Sequence, residues 1–422
     1  MKRLLFACMG ILLFAVLSAQ EQNTLDWDIN DVFNEPAKET PTEEPKNNEP
    51  AVTVNKLIKQ KGITFDASYE FRIGLAPGWY ELPWNLTEDH DLYLDRYIKL
   101  KSSLTADAQI DDSLRIKTVF SFAIPDFYIK LGDFFFDYNI NDKIFFRGGK
   151  YSQSWGLDSN FTFTNLLSRV PDDSYDGDSF IFKADIPTGI GGFQFLTLTR
   201  YDLMYSSNPE PPRLKDFAFG GKYNLALKWI DFDTGVYFQE SMPLRAFMSI
   251  KTTLWKTELY SEGLIAINST PFDVSGAVSF GFTKELFNNK FSINGEVFYN
   301  AEKDTYVYNP ETYITDANVT LFKEELHLAL NLGFKFGGKT NPSLFSQIRY
   351  APFENSMQLI PGFRITPLPH IEVYMAVPMI LGSKEGYYYN SENAYITDDK
   401  DNTIPFSIVL FVKLTGNMQF KH

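Results

Sequence analysis

The residues best suited to act on a solute are bases that alternate with apolar residues along extended runs. Between residues 92 and 110, Lys99 and Lys101 alternate with Ile98 and Leu100. Successive side chains of a strand point to opposite faces, so this spacing predicts one charged face and one apolar face. Rows of ammonium and guanidinium groups that line an aqueous passage attract anions. The chemistry expected of these rows is therefore electrostatic attraction of solutes.

The same alternation places twelve bases and six acids on the polar faces of the runs. A charged side chain on a lipid face costs about 2–4 kcal/mol near the midplane, so in a membrane barrel these charges must face the lumen. We predict a water-filled passage with a mild preference for anions; alternatively, the charges pair and only hold the wall together. The pore-lining candidates are Arg72, Lys99, Lys101, Arg115, Lys117, Arg147, Lys222, Arg245, Lys251, Lys335, Arg364 and Lys413, and the acids are Asp66, Glu70, Asp95, Asp107, Glu296 and Glu372.

The last run of the chain, from Ile404 to Phe420, shows the alternation most clearly. Every second residue from Phe406 to Phe420 is uncharged, whereas the other row becomes polar toward the end. About ten tilted residues cross the hydrocarbon core, and strands of soluble proteins are usually about half as long as this run. The alternative is an edge strand of a large soluble β-protein.

This run resembles the last strand of bacterial outer-membrane β-barrels, which ends in an aromatic residue. Phe420 lies two residues before the end, whereas the family pattern prefers the aromatic at the terminus itself. The resemblance implies outer-membrane lipid as the surrounding medium and the barrel-assembly machinery as a partner of the strand ending at Phe420.

Long connections alternate with short turns along residues 61–422, as in bacterial barrels with long outer loops and tight periplasmic turns. The pattern predicts one all-β domain, a transmembrane antiparallel up-and-down barrel. We count about 18 strands, with 16 nearly as well supported and 14 as a further alternative. An even number places both termini on the periplasmic side.

Residues 1–19 have the pattern of a secretory signal peptide, with Lys2 and Arg3 before an apolar core from Leu4 to Leu17. The single cysteine, Cys8, lies within it, so the mature chain would hold no disulfide or thiolate metal site. The composition of residues 20–60, which is acidic and rich in proline, predicts a largely disordered periplasmic arm. Within the arm, one apolar set could bind a periplasmic partner: Leu25, Trp27, Ile29 and Phe33.

The stretch from Arg147 to Gly156 combines Gly148, Gly149 and Lys150 with a terminal Trp155-Gly156. It resembles a strand top in several substrate-selective outer-membrane porin families, in which the next loop often folds into the lumen as a constriction. The resemblance predicts that the polar loop 157–179 does the same, although an ordinary exposed loop remains the alternative. The constriction-loop candidates, an acidic edge facing Arg147, are Asp158, Asp172, Asp173, Asp176 and Asp178.

The leading functional hypothesis is a porin that lets small hydrophilic solutes diffuse passively. One alternative is a hydrophobic-compound channel resembling the long-chain fatty-acid transporters, and another is a surface adhesin. We do not expect an enzyme, because the four histidines, of which His327 alone is predicted to face inward, show no pairing with a nucleophile. The net charge of −14 disfavours nucleic-acid binding. We expect no cofactor and no metal.

Overall fold

The computed structural model describes residues 62–85, 92–125, 128–157, 160–161, 163–164, 167, 179–200, 214, 217–240, 243–269, 272–301, 326–389, 394–397 and 402–421. These residues form 18 antiparallel strands that close into a barrel. The prediction of an up-and-down barrel is therefore confirmed, and 18 is the strand count. No helix within the described ranges is long and apolar enough to cross a membrane.

The strands follow one another around the barrel in chain order, and two of them are interrupted. β17 is broken at Val377 and Pro378, since proline lacks the N–H that the ladder requires, and β18 is broken at Ile408. The strands are β1 Gly62–Trp79, β2 Leu92–Gln109, β3 Leu114–Ile124, β4 Tyr128–Ile140, β5 Ile144–Lys150, β6 Ser179–Thr188, β7 Gly191–Arg200, β8 Phe217–Ala226, β9 Ile230–Gln239, β10 Leu244–Leu254, β11 Thr257–Ser269, β12 Phe272–Leu286, β13 Phe291–Asn300, β14 Leu326–Lys335, β15 Ser343–Ala351, β16 Ser356–Leu368, β17 Ile371–Ala376 with Met379–Gly382, and β18 Phe406–Ser407 with Val409–Lys421.

The barrel closes where β1 pairs with both β2 and β18. Arg72 of β1 lies opposite Lys99 on one side and Lys413 on the other. Directly paired residues point to the same face of a sheet, so this register carries one polar row from strand to strand. No strand edge remains open at the seam.

The two faces of the wall differ in the way that the alternation predicts. The outward face exposes large apolar side chains, among them Phe195, Phe238 and Phe280, which is 61% exposed. The side chains at the alternate positions of the same strands point inward, and they include charged residues and a buried aromatic cluster. Such an apolar outer band is what a lipid environment requires of a barrel.

The connections at the two ends of the barrel differ in length. The eight turns from β2–β3 to β16–β17 have two to seven residues and share one end, which we call the short-turn end. The five longest connections, which follow β1, β5, β7, β13 and β17, all lie at the other end. The described parts of two of these long connections fold back into the barrel.

Candidate functional site in the barrel lumen

The segment after β5 leaves the wall and enters the lumen. The sequence prediction carried this strand to Gly156, but the structure ends it at Lys150, so the predicted boundary is wrong. We call the described residues between Tyr151 and Leu167 the inserted segment. One glycine precedes the segment and one lies within it: Gly149, near the end of β5, has φ +147° and Gly156 has φ +88°, values that L side chains rarely adopt.

Trp155 fixes the first part of the inserted segment against the inner wall. Its ring lies over Gly220 of β8, where a Cβ would collide with it, and its centroid is 5.6 Å from that of Phe247 in β10. The indole Nε1 donates a hydrogen bond of 2.6 Å to Oε1 of Gln194. Gln194 in turn donates to Asp185, at 2.8 Å, which holds the acceptor in place.

Glu262, on the inward row of β11, anchors the middle of the inserted segment. Its Oε1 accepts hydrogen bonds from the backbone N–H of Leu157, at 2.7 Å, and from the Thr164 hydroxyl, at 2.6 Å. A Cβ on Gly156 would contact both Thr164 Oγ1 and the same carboxylate oxygen. Only glycine therefore lets the backbone pass this close to Glu262.

Glu296, two strands further on in β13, holds the next part of the segment. Its Oε2 accepts from the backbone N–H of Asn160, at 2.8 Å, and from the Asn160 amide, at 3.1 Å. The Tyr260 hydroxyl donates to the same oxygen at 3.2 Å. Asn160 also bonds Asn294 of β13 and Asn331 of β14. Since β5 and β11–β14 lie six to nine strands apart around the barrel, the segment crosses the lumen.

Aromatic packing completes the anchorage on the far wall. The ring of Phe298 lies 5.0 Å from that of Phe161 and 4.8 Å from that of Phe163, and all three side chains are at most 1% exposed. Burial of this size stabilises a segment by about 2 kcal/mol per side chain. The segment is therefore held by apolar contacts as well as by the two carboxylates.

The connection between β17 and β18 also folds inward, and it meets the inserted segment at His327. The ring of Tyr387 lies 4.9 Å from the buried imidazole, and the ring of Phe161 lies 6.1 Å from it. The backbone N–H of Tyr388 donates to Ser356 Oγ at 3.0 Å. Burial raises the pKa of the Tyr388 phenol above its ordinary value, so the phenol stays neutral.

The strand register places all twelve predicted bases on the face that also bears Glu262 and Glu296. At least six of them have a carboxylate within 4.0 Å: Arg72, Arg115, Arg147, Lys222, Lys251 and Lys413. Whether the twelve line a conducting path stays a prediction.

One network of these pairs runs along β2–β5. Asp107 and Asp137 both bind Arg115, and Asp137 also accepts from Arg147 at 2.6 Å. The Arg147 guanidinium lies 4.3 Å from the centre of the Phe135 ring, a cation–π distance. These contacts fix the height and direction of the charges on this part of the wall.

Sequence reasoning missed several inward charges that the same alternation contains. Lys183 of β6 lies opposite Arg147, and Arg349 of β15 lies opposite Gln358. Glu262 was missed as well, although it falls on the inward row of a predicted strand. The acidic candidates Asp158, Asp172, Asp173, Asp176 and Asp178 lie outside the described residues. Among the described residues, no cluster of three His, Cys, Asp or Glu side chains could hold a metal.

No protein-family model matches the chain, and no curated protein matches it either. Solved structures do match. The crystal structure of Pseudomonas aeruginosa OpdO has a TM-score of 0.52 and 12% identity, with 84% of this chain and 97% of that chain covered. OccK11 (OpdR) and OccK5 (OpdH) of the same organism each give a TM-score of 0.51, at 9% and 10% identity, and they cover 86% and 84% of this chain and 98% of each of those chains. These neighbours are outer-membrane porin channels.

The chain has the fold of an outer-membrane porin. At identities of 9–12% the similarity establishes the architecture of the barrel and nothing about the solute. The hydrogen bonds of Leu157 to Glu262 and of Asn160 to Glu296 are contacts of this chain itself and do not depend on the similarity.

Proposed function

We propose that this chain is an outer-membrane channel through which small hydrophilic solutes diffuse passively. Its short-turn end and N-terminal arm face the periplasm, residues 1–19 are removed on export, and the barrel-assembly machinery recognises the strand ending at Phe420. The chain acts without chemical conversion of the solute. The porin-like neighbours and the apolar outer band support the membrane location.

One observation carries this proposal. The inserted segment narrows the lumen but leaves part of the polar wall open. Charged networks such as Asp107–Arg115–Asp137 remain partly exposed on the inner face of β2–β4. Hydrated ions and polar solutes find partners along such a wall, whereas an alkyl chain would have to desolvate its charges. This favours a hydrophilic path over a hydrophobic-compound transporter.

The anion preference, which belongs to the same proposal, is small. The inward rows add at least three bases, Lys130, Lys183 and Arg349, to the twelve predicted. They also add at least five acids, so the excess of positive charge is narrower than the first count of twelve against six. The added acids are Asp137, Asp185, Asp233, Glu258 and Glu262. Ion pairing further lowers the field that a passing ion meets.

Single-channel recording in a planar bilayer tests the proposal. We expect steady unitary currents from the refolded mature chain, and in a KCl gradient a reversal potential displaced modestly toward the chloride value. A displacement toward the potassium value would remove the anion preference but leave the channel. Liposome swelling with sugars of increasing size should show a sharp size limit. Uptake of fatty-acid analogues without any sugar flux would instead favour the hydrophobic-compound transporter.

A further inference from the structure

Four neighbouring turns at the short-turn end repeat one composition. The turns that join β8 to β9, β10 to β11, β12 to β13 and β14 to β15 each contain one aromatic residue, one lysine and no acid. We call these four turns the aromatic–lysine arc. Its residue pairs are Lys228 with Trp229, Trp255 with Lys256, Phe287 with Lys290, and Phe336 with Lys339.

The aromatic side chains of the arc are exposed on the protein surface. Trp229 is 74% exposed, Trp255 85%, Phe287 75% and Phe336 51%, and all four lysines are exposed as well. Burial of an aromatic ring is strongly favourable, so four rings left open at equivalent turns indicate an external apolar partner.

Trp255 gives a second indication that its ring serves a purpose outside the turn. It occupies the first position of a two-residue turn, with φ +51°, and Lys256 follows with φ +58°. Such turns favour Asn and Gly, because other side chains are strained at positive φ. The turn chemistry therefore does not account for a tryptophan at this position.

The other four turns at the same end lack the pattern. Those joining β2–β3, β4–β5, β6–β7 and β16–β17 contain no Phe, Tyr or Trp. Their charged residues are Asp111, Asp112 and Asp142, with one lysine, Lys143. The rim at the short-turn end is thus divided into a basic aromatic half and an acidic aliphatic half.

We propose that the aromatic–lysine arc binds the headgroups of anionic phospholipids in the leaflet at the short-turn end. Aromatic rings favour the membrane–water interface, and lysines beside it attract anionic headgroups. Phe336 lies 4.9 Å from the outward-facing Phe334, which places its ring beside the lipid-facing row. The repetition turn by turn around the circumference matches a continuous leaflet, whereas a single peptide would need no such repeat.

This inference rests on the proposed membrane location, and fluorescence quenching by brominated lipids tests it. The refolded mature chain is inserted in phosphatidylcholine vesicles that contain brominated phosphatidylglycerol, or brominated phosphatidylcholine at the same mole fraction. The signal of the two arc tryptophans is the difference between the natural chain and the W229F/W255F variant. The K228Q/K256Q/K290Q/K339Q variant removes the positive charge of the arc, and K143Q is the matched control on the other half of the rim.

We expect brominated phosphatidylglycerol to quench the arc tryptophans several-fold more strongly than brominated phosphatidylcholine. Each lysine near an anionic surface raises the local preference for the anionic lipid by about fivefold at most. The preference should vanish in the quadruple variant, weaken at high salt and persist in K143Q. Equal quenching by both lipids in the natural chain would overturn the inference, as would an equal loss in K143Q.

The acidic arm at residues 20–60 is the rival occupant. If deletion of the arm were needed before either lipid quenched the arc, the arm and not lipid would cover these turns, and the inference would fail. Single-channel currents recorded from the same samples separate this outcome from the proposed function. A quadruple variant that conducts normally without lipid preference supports both proposals.

Discussion

Removal of the Glu262 carboxylate should release the inserted segment and widen the channel. In Glu262→Ala, the backbone N–H of Leu157 and the hydroxyl of Thr164 lose the acceptor that they share at 2.7 and 2.6 Å. Hydrogen bonds to a charged group contribute about 1.5–3 kcal/mol each, so the loss is roughly 3–6 kcal/mol of segment anchorage. Glu262→Gln keeps an acceptor of similar shape but loses the charge, so its effect should be about half as large.

The assay is single-channel conductance together with the sugar size limit in liposome swelling. We expect Glu262→Ala to raise the conductance, to add current noise as the segment detaches and reattaches, and to admit larger sugars. The wall itself should remain folded, since the strand ladder is untouched, and this is checked by heat-dependent migration in gels.

Glu258→Ala is the matched control, because it removes the same side chain from the same strand. Glu258 pairs with Lys251 at 2.7 Å and is partly exposed. Its loss should alter ion selectivity slightly and leave the size limit unchanged. Anchorage of the segment by Glu262 is refuted if Glu262→Ala keeps the natural conductance and size limit, or if Glu258→Ala changes the size limit equally.

Three further outcomes follow from the same geometry. Gly156→Ala should widen the channel, because its Cβ collides with Thr164 at a positive φ, whereas Gly189→Ala, with nothing within 4 Å, should not; conductance measures both. Trp155→Phe loses the hydrogen bond to Gln194, worth about 0.5–1.5 kcal/mol, and should raise current noise while the mean conductance changes little. Lys101→Glu reverses an inward charge and should move the reversal potential toward the potassium value; an unchanged potential would place this residue away from the ion path.

The barrel could be predicted from the sequence because its cause is local. Alternation with a period of two fixes which side chains share a face, and that face is the same from strand to strand once the register is set. Arg72 and Lys413 were assigned to one face from their own runs, and the register brings them opposite one another at the closing seam. The strand number was narrowed to about 18 or 16, and the structure has 18.

The inserted segment could not be predicted in the same way, because its contacts span long distances in the chain. Glu262 lies 105 residues from Leu157, and no local spacing connects them. The loop after β5 was interpreted as polar, yet its Phe161 and Phe163 are buried against the far wall. These two phenylalanines within a polar stretch were the available signal that part of the loop has an apolar partner.

The premature end of β5 has a similar explanation. The predicted strand ran on to Gly156, although the alternation of apolar and polar residues is lost after Lys150, where Ser152, Gln153 and Ser154 follow one another. Gly149, the last residue but one of β5, has a φ of +147° and lies against Phe134 and Phe135 of the neighbouring strand, where a Cβ would clash. Sequence shows where a glycine permits such a bend but not whether the fold uses it.

The central claim is a water-filled passage through a closed barrel, narrowed by a segment that is anchored to the opposite wall. The unitary conductance of the refolded natural chain, recorded beside Glu262→Ala in the same bilayer, tests it most directly. We expect a steady, ohmic current in the natural chain and a larger, noisier current in the variant. A folded, inserted barrel that passes no current in either form would contradict it.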